Sequence, residues 1–288
     1  MSHFNKYDLP QSLAEALENI GFNTPTPIQK KAIPCLLSGN DLIACAQTGS
    51  GKTGAYLIPL VKSLIENSKS QGMVLVPTRE LAQQVSDFLK KIAPQTKAFH
   101  TVRLIGGQDI RKQFQALQRK PRIIVATPGR LIDHLKRNTI QIHKVNQLVL
   151  DEGDRMIDMG FAPQLEKILK FLPRERQTAL FSATLDKKVK QLSLKYLFKP
   201  KELILDEAKP VSKIKQSVIR VELKNKNDRI LDELNARQGS VIVFLKTKRR
   251  TDQLKKYLSE YGFAVDMLHG GCSQGNRNRA ISAFKRGE

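Results

Sequence analysis

Short apolar runs alternate with stretches of helical periodicity through most of the chain. The runs at residues 42–44, 73–76, 102–105, 123–126, 148–150 and 179–181 predict strands. Between them, apolar positions spaced by three and four residues predict helices, among them 79–92 and 108–118. Strands alternating with helices predict an α/β fold with a mostly parallel, doubly wound sheet. The strands are rich in Val, Ile and Leu with little polar alternation, which predicts burial on both faces.

The run Asp206-Glu207-Ala208-Lys209-Pro210-Val211-Ser212-Lys213 breaks this rhythm and predicts a linker over 206–215. The alternation then restarts. Strands are expected at 218–221, 241–245 and 264–268, and helices at 228–237, 251–261 and 277–285. Three strands are a thin basis for a self-sufficient sheet.

A length of 288 residues, with 40% hydrophobic and 26% charged content, suits a globular protein of roughly two domains. No apolar run approaches the ~18 residues of a membrane span, and the N-terminus lacks a signal-peptide core. Cys35, Cys45 and Cys272 have neither zinc nor disulfide spacing, so a cytoplasmic location is expected. Lys and Arg number 49 against 27 Asp and Glu, a net charge of +22 spread along the chain. That excess favours a polyanionic partner.

The segment Ala46-Gln47-Thr48-Gly49-Ser50-Gly51-Lys52-Thr53 joins the first strand to the helical run through Tyr56-Leu57-Ile58. Strand, small-residue loop and helix make a phosphate cradle, because backbone N–H groups and the helix N-terminus converge on an anion. Lys52 can reach the outer phosphates and the Thr53 hydroxyl can ligate Mg2+. The strict pattern has glycine where Ala46 stands. Asp151-Glu152-Gly153-Asp154 follows the strand at 148–150, at the carboxyl edge of the sheet where ligands bind in such folds. Asp151 is the candidate Mg2+ ligand, through water. Glu152 is the candidate base or water-positioning residue for attack on a γ-phosphate.

In these motifs and their spacing the chain resembles the DEAD-box RNA helicases of superfamily 2, nearly end to end. That family's phosphate loop carries alanine at the place of Ala46. Phe4 and Gly21-Phe22-Asn23-Thr24-Pro25-Thr26-Pro27-Ile28-Gln29 resemble its adenine-recognition motif. An aromatic face can stack on a base, and a glutamine amide can pair with adenine N6 and N7; taken singly, Phe4 reads as a core staple and Gln29 as a surface residue on a helix. The resemblance implies that Phe4, Phe22, Thr24 and Gln29 bind ATP together with residues 46–53.

Pro77-Thr78-Arg79, Gly106-Gly107 and Thr127-Pro128-Gly129-Arg130 resemble the family's first-domain RNA-contact motifs. Such contacts position a strand without reading its sequence. Helix capping is the local alternative for each. Ser182-Ala183-Thr184 resembles the motif linking hydrolysis to unwinding, with hydroxyls that could bond Asp154. Further on, Val243-Phe244 with Thr247, and His269-Gly270-Gly271 with Gln274 and Arg277, look like second-domain motifs. They imply RNA contact by Thr247, Gln274 and Arg277.

Taken together, the resemblance implies a first RecA-like domain over 1–205 that includes the adenine motif, a linker at 206–215 and a partial second RecA-like domain over 216–288. It implies an ATP-dependent RNA helicase that uses ATP and Mg2+ and grips RNA by its backbone, away from membranes. Partners from ribonucleoprotein assembly or RNA decay are not identified. Gly153 stands where the family usually has alanine, which leaves both flanking acids their roles. The family's γ-phosphate arginines are expected beyond residue 288, so slow turnover is expected of this chain. Two other readings stand beside it: a nucleotide- and RNA-binding fragment without useful turnover, and a DNA-directed ATPase of the same superfamily.

Overall fold

The computed structural model describes residues 3–94, 99–205 and 215–288. The linker expected at 206–215 lies outside the described residues, apart from Lys215. The chain divides into two compact units, Met1–Ser212 and Lys213–Glu288.

The first unit opens with α1 (Gln11–Asn19), α2 (Pro27–Leu37), β1 (Leu42–Cys45) and α3 (Lys52–Glu66). It continues through β2 (Gln71–Leu75), α4 (Arg79–Ile92), β3 (Thr101–Leu104) and α5 (Ile110–Gln118). Next come β4 (Ile123–Ala126), α6 (Pro128–Lys136), β5 (Val145–Asp151), α7 (Gly153–Asp158) and α8 (Ala162–Leu169). It closes with β6 (Gln177–Ser182), α9 (Lys187–Tyr196) and β7 (Lys201–Ile204).

The seven strands lie in the order β3-β4-β2-β5-β6-β1-β7, and every neighbouring pair is parallel. All six strands expected in this unit are present, with slightly displaced ends. The edge strand β7 was not expected. Lys201 and Glu202 give it the charged, exposed character that protects a sheet edge from further pairing, and that hides it from a search for apolar runs.

Alternate residues of the central strands enter different cores. Leu42, Ala44, Val74, Val149 and Phe181 pack under α1 to α4. Ile43, Met73, Leu75, Leu150 and Leu180 pack under α5 to α9. The sheet is therefore dry on both faces, as the unbroken apolar runs predict. Among the described residues no helix is long and apolar enough to cross a membrane.

The second unit holds α10 (Lys226–Asn235), α11 (Lys248–Glu260) and α12 (Gln274–Arg286). Leu254 and Leu258 of α11 and Ala280 of α12 are buried. The strands expected at 218–221, 241–245 and 264–268 do not form among the described residues. Ile242 and Phe244 are exposed there (61% and 91%). An apolar run supplies only propensity; a strand also needs a neighbour in register to take its N–H and C=O groups.

Candidate active site

β1 ends at Cys45 and α3 begins at Lys52, so residues 46–51 form a loop at the carboxyl edge of the sheet. Ala46 N donates to Ser182 O at 3.0 Å, which starts the loop beside β6. Gly51 has a φ of 95°, a conformation that L side chains rarely adopt. A Cβ there would lie 2.7 Å from Gln29 Nε2, and one on Gly54 would lie 2.8 Å from the same atom. Gln29 Nε2 donates to Gly51 O at 3.0 Å, while its Oε1 accepts from Thr26 N at 2.9 Å. Gln29 therefore clasps the loop from below. Gln47, Thr48, Gly49 and Ser50 keep solvent access along the turn. Lys52 is buried, and its Nζ donates to Ala46 O at 2.8 Å, folded back across the loop. An anion in the loop would compete with that single carbonyl for the ammonium.

Phe4 is 1% exposed, with its ring centroid 6.0 Å from Tyr7 and 6.1 Å from Phe22. It sits in the core as an apolar staple and presents no open face to a base. Burial of a large ring gains more than exposing it, so stacking on adenine would need the covering groups to move. Phe22 packs on against Phe88 at 5.2 Å, and Thr24 is exposed.

β5 delivers Asp151 opposite Phe181 of β6. Asp151 is 3% exposed. Its Oδ1 accepts from Glu152 N at 2.9 Å, and its Oδ2 accepts from the Tyr56 hydroxyl at 2.8 Å. Burial pushes the Asp151 pKa up to about 6, against the opposing pull of the Tyr56 hydrogen bond and the Lys52 charge. Glu152 has φ 53° and ψ 53°, a left-handed conformation costing an L residue ~1–2 kcal/mol. Strain of this kind gathers at functional sites. Arg155 Nη1 donates to Glu152 Oε2 at 2.9 Å, and this pairing raises the arginine's pKa.

Gly153 opens α7 with Leu180 against it: a Cβ would lie 2.6 Å from Leu180 Cδ1. The glycine makes room for a leucine. Asp154 Oδ2 accepts from Ala183 N (3.1 Å), Thr184 N (3.0 Å) and Thr184 Oγ1 (3.2 Å). Asp154 N donates to Ser182 Oγ at 3.2 Å. The hydroxyl link expected between Asp154 and residues 182–184 is present.

Three further motifs meet beside this edge. Pro77 ends the turn after β2, and Thr78 caps α4 by accepting from Leu81 N at 3.1 Å. The Arg79 guanidinium lies across Gly106 and Gly107; a Cβ on Gly107 would collide with its Nη1. Thr127 and Pro128 lead into α6, whose Gly129 has open space above it. Arg130 Nη1 donates to Gln108 O at 3.1 Å, and burial lowers its pKa, with the Arg79 charge adding to that effect. In the second unit, Thr247 caps α11 by accepting from Arg250 N at 3.2 Å. Gln274 Nε2 donates to Asn278 Oδ1 at 3.1 Å, and Arg277 Nη1 donates to His269 O at 3.1 Å.

Sequence reasoning passed over Tyr56 and Arg155. A tyrosine inside the apolar run of α3 was the available signal, since a buried phenol needs a partner.

A sequence model of the DEAD/DEAH box helicases matches residues 26–192, which contain the phosphate loop, the acidic box and the Ser182-Ala183-Thr184 motif. The chain belongs to this family. A model of the helicase conserved C-terminal domain matches residues 225–288 of this DEAD-box chain. The DEAD-box ATP-dependent RNA helicase CshA of Geobacillus kaustophilus is 42% identical over 291 residues, covering 100% of this chain and 62% of that protein. The enzyme of the same name from Bacillus subtilis is 42% identical over 287 residues, covering 99% and 58%. The chain thus spans about three-fifths of the length of these relatives. A crystal structure of a DEAD box protein from the hyperthermophile Methanococcus jannaschii is similar with a TM-score of 0.67 and 36% identity, covering 98% of this chain and 77% of that one. The DEAD-box family accounts for the RecA-like parallel sheet of the first unit.

Proposed function

We propose that this DEAD-box chain is the ATP- and RNA-binding part of an ATP-dependent RNA helicase of the cytoplasm. Residues 1–205 would form the ATP-binding domain, 206–215 the linker, and 216–288 part of a second RecA-like domain. The observation that carries this reading is the meeting at one sheet edge of the 46–53 loop, the acidic box and the Asp154 link to Ser182 and Thr184.

The loop suits a triphosphate: its glycines exclude side chains, and a 15-residue helix points its N-terminus at the turn. The donor chemistry suits Mg2+. Among the described residues no group of three or more His, Cys, Asp or Glu could hold a metal ion. Mg2+ keeps several waters and takes phosphate oxygens, so Thr53 and Asp151 suffice as protein ligands. Bound there, it would neutralise charge on the phosphates. Lys52 would exchange Ala46 O for a phosphate, and Glu152 would orient the attacking water. Arg79, Arg130 and the amides around Gly106, Gly107 and Gly129 would hold an RNA backbone. In the second unit, Thr247, Gln274 and Arg277 would contact RNA.

The test is RNA-stimulated ATPase and strand separation by the protein that contains this chain. Lys52→Ala should weaken ATP binding at least tenfold, and Glu152→Gln should abolish turnover while ATP still binds. Wild-type turnover in both variants would overturn the assignment. Competition between RNA and DNA of matched sequence at fixed salt separates the DNA-directed reading.

A further inference from the structure

Tyr56 lies four residues beyond Lys52 on α3 and is 1% exposed. Its ring lies tilted against Phe181, with centroids 5.2 Å apart and the planes at 57°. Its hydroxyl donates to Asp151 Oδ2 at 2.8 Å. Thr53 lies one turn back on the same helix, where α3 leaves the phosphate loop. One buried phenol thus links that helix to the carboxylate that the proposed function gives to Mg2+. The remaining Asp151 oxygen is held by Glu152 N at 2.9 Å, so each carboxylate oxygen has its own donor.

We infer that Tyr56 is a positioning residue that sets the geometry of the Mg2+ site by tying α3, the helix that begins at the phosphate loop, to Asp151 of the acidic box. It touches neither phosphate nor the reacting water. A carboxylate held by one donor can swing about its Cβ–Cγ bond. Held by two, it presents its outward lone pairs in one direction. The phenol is suited to the task because it reaches across from a helix whose N-terminus forms the loop, so displacement of either motif is felt by the other. Outer partners of this kind change metal affinity by about 10–100-fold when removed. The ring's apolar contacts, including the one with Phe181, do not depend on the hydroxyl. Tyr56→Phe therefore removes the tether and leaves the packing.

This inference rests on the reading of the loop and acidic box as a nucleotide–Mg2+ site, and the experiment separates the two. A fluorescent ADP analogue is titrated into the wild-type protein and Tyr56→Phe, first with a chelator present and then over a series of Mg2+ concentrations. The expected result is chelator-condition affinity within twofold of wild type, with the half-saturating Mg2+ concentration raised at least tenfold. Half-saturation within twofold of wild type would overturn the inference. No Mg2+ dependence in the wild-type protein would instead overturn the site reading beneath it.

A second measurement does not depend on the variant's folding. 3-Fluorotyrosine is placed at position 56 alone, and its 19F resonance is followed. It should shift when Mg2+ is added to the ADP-saturated protein, beyond the shift caused by ADP itself. An unmoved resonance on saturating Mg2+ would refute the tether.

Discussion

At the scale of single residues, the acidic box combines groups whose local preferences conflict. Asp151 is buried, and its pKa is pushed up from 3.8 to about 6, chiefly by burial. A carboxyl whose folded pKa exceeds its unfolded value destabilises the native state once it ionises. The penalty is absent below the unfolded value of 3.8, grows through the window to about 6, and is complete above it. The difference corresponds to a penalty on the order of 3 kcal/mol at pH 7. Without nucleotide or Mg2+, Asp151→Asn is therefore expected to unfold at higher denaturant than wild type at pH 7. The advantage should fall to about half by pH 5. Urea unfolding of both proteins across that range checks it, and a pH-independent difference would contradict it. Stability given up by an unneutralised carboxylate is what a cation can restore on binding, so the cost and the proposed metal role have one origin.

At the scale of elements, Asp154 joins α7 to the segment that leaves β6. Three hydrogen bonds converge on a single oxygen from Ala183 and Thr184. Asp154→Ala leaves those donors without their acceptor, and is expected to lower stability by about 2 kcal/mol. Thr184→Ala removes one bond of the three and should lower it by about 1 kcal/mol or less. Chemical denaturation checks both, and equal losses would mean that the hydroxyl carries the link alone. The same scale shows where element prediction succeeded and stopped. β4 is readable from Ile123-Ile124-Val125-Ala126 because a strand dry on both faces has no polar residue to interrupt it. β7 is not, because its charged residues face solvent and only pairing with β1 makes it a strand. The runs at 241–245 and 264–268 show the converse, apolar sequence without a ladder among the described residues.

At the scale of the whole molecule, the net charge of +22 supplies long-range attraction for a polyanion, while the first unit's strand ends would supply the contact points. Arg79 and Arg130 reach one another's field from β2–α4 and β4–α6. If both engage phosphates, Arg79→Ala and Arg130→Ala should each reduce the slope of log affinity against log salt by about 1, and weaken unrelated RNA sequences equally. Binding isotherms on two RNAs at several salt concentrations test this, and a change confined to one sequence would argue for base contact instead. Much of this protein was determined by its sequence alone: the alternation of elements, the Ala46–Thr53 loop, the acidic box and the spacing of the motifs around them. These are local properties, set by backbone sterics, periodicity and the chemistry of adjacent side chains. Tertiary structure alone decided that Phe4 is a buried staple, that Leu180 occupies the space beside Gly153, and that Tyr56 holds Asp151 across 95 residues of chain. Each depends on which groups are brought together and which lose water, and neither is written in the spacing of a single chain.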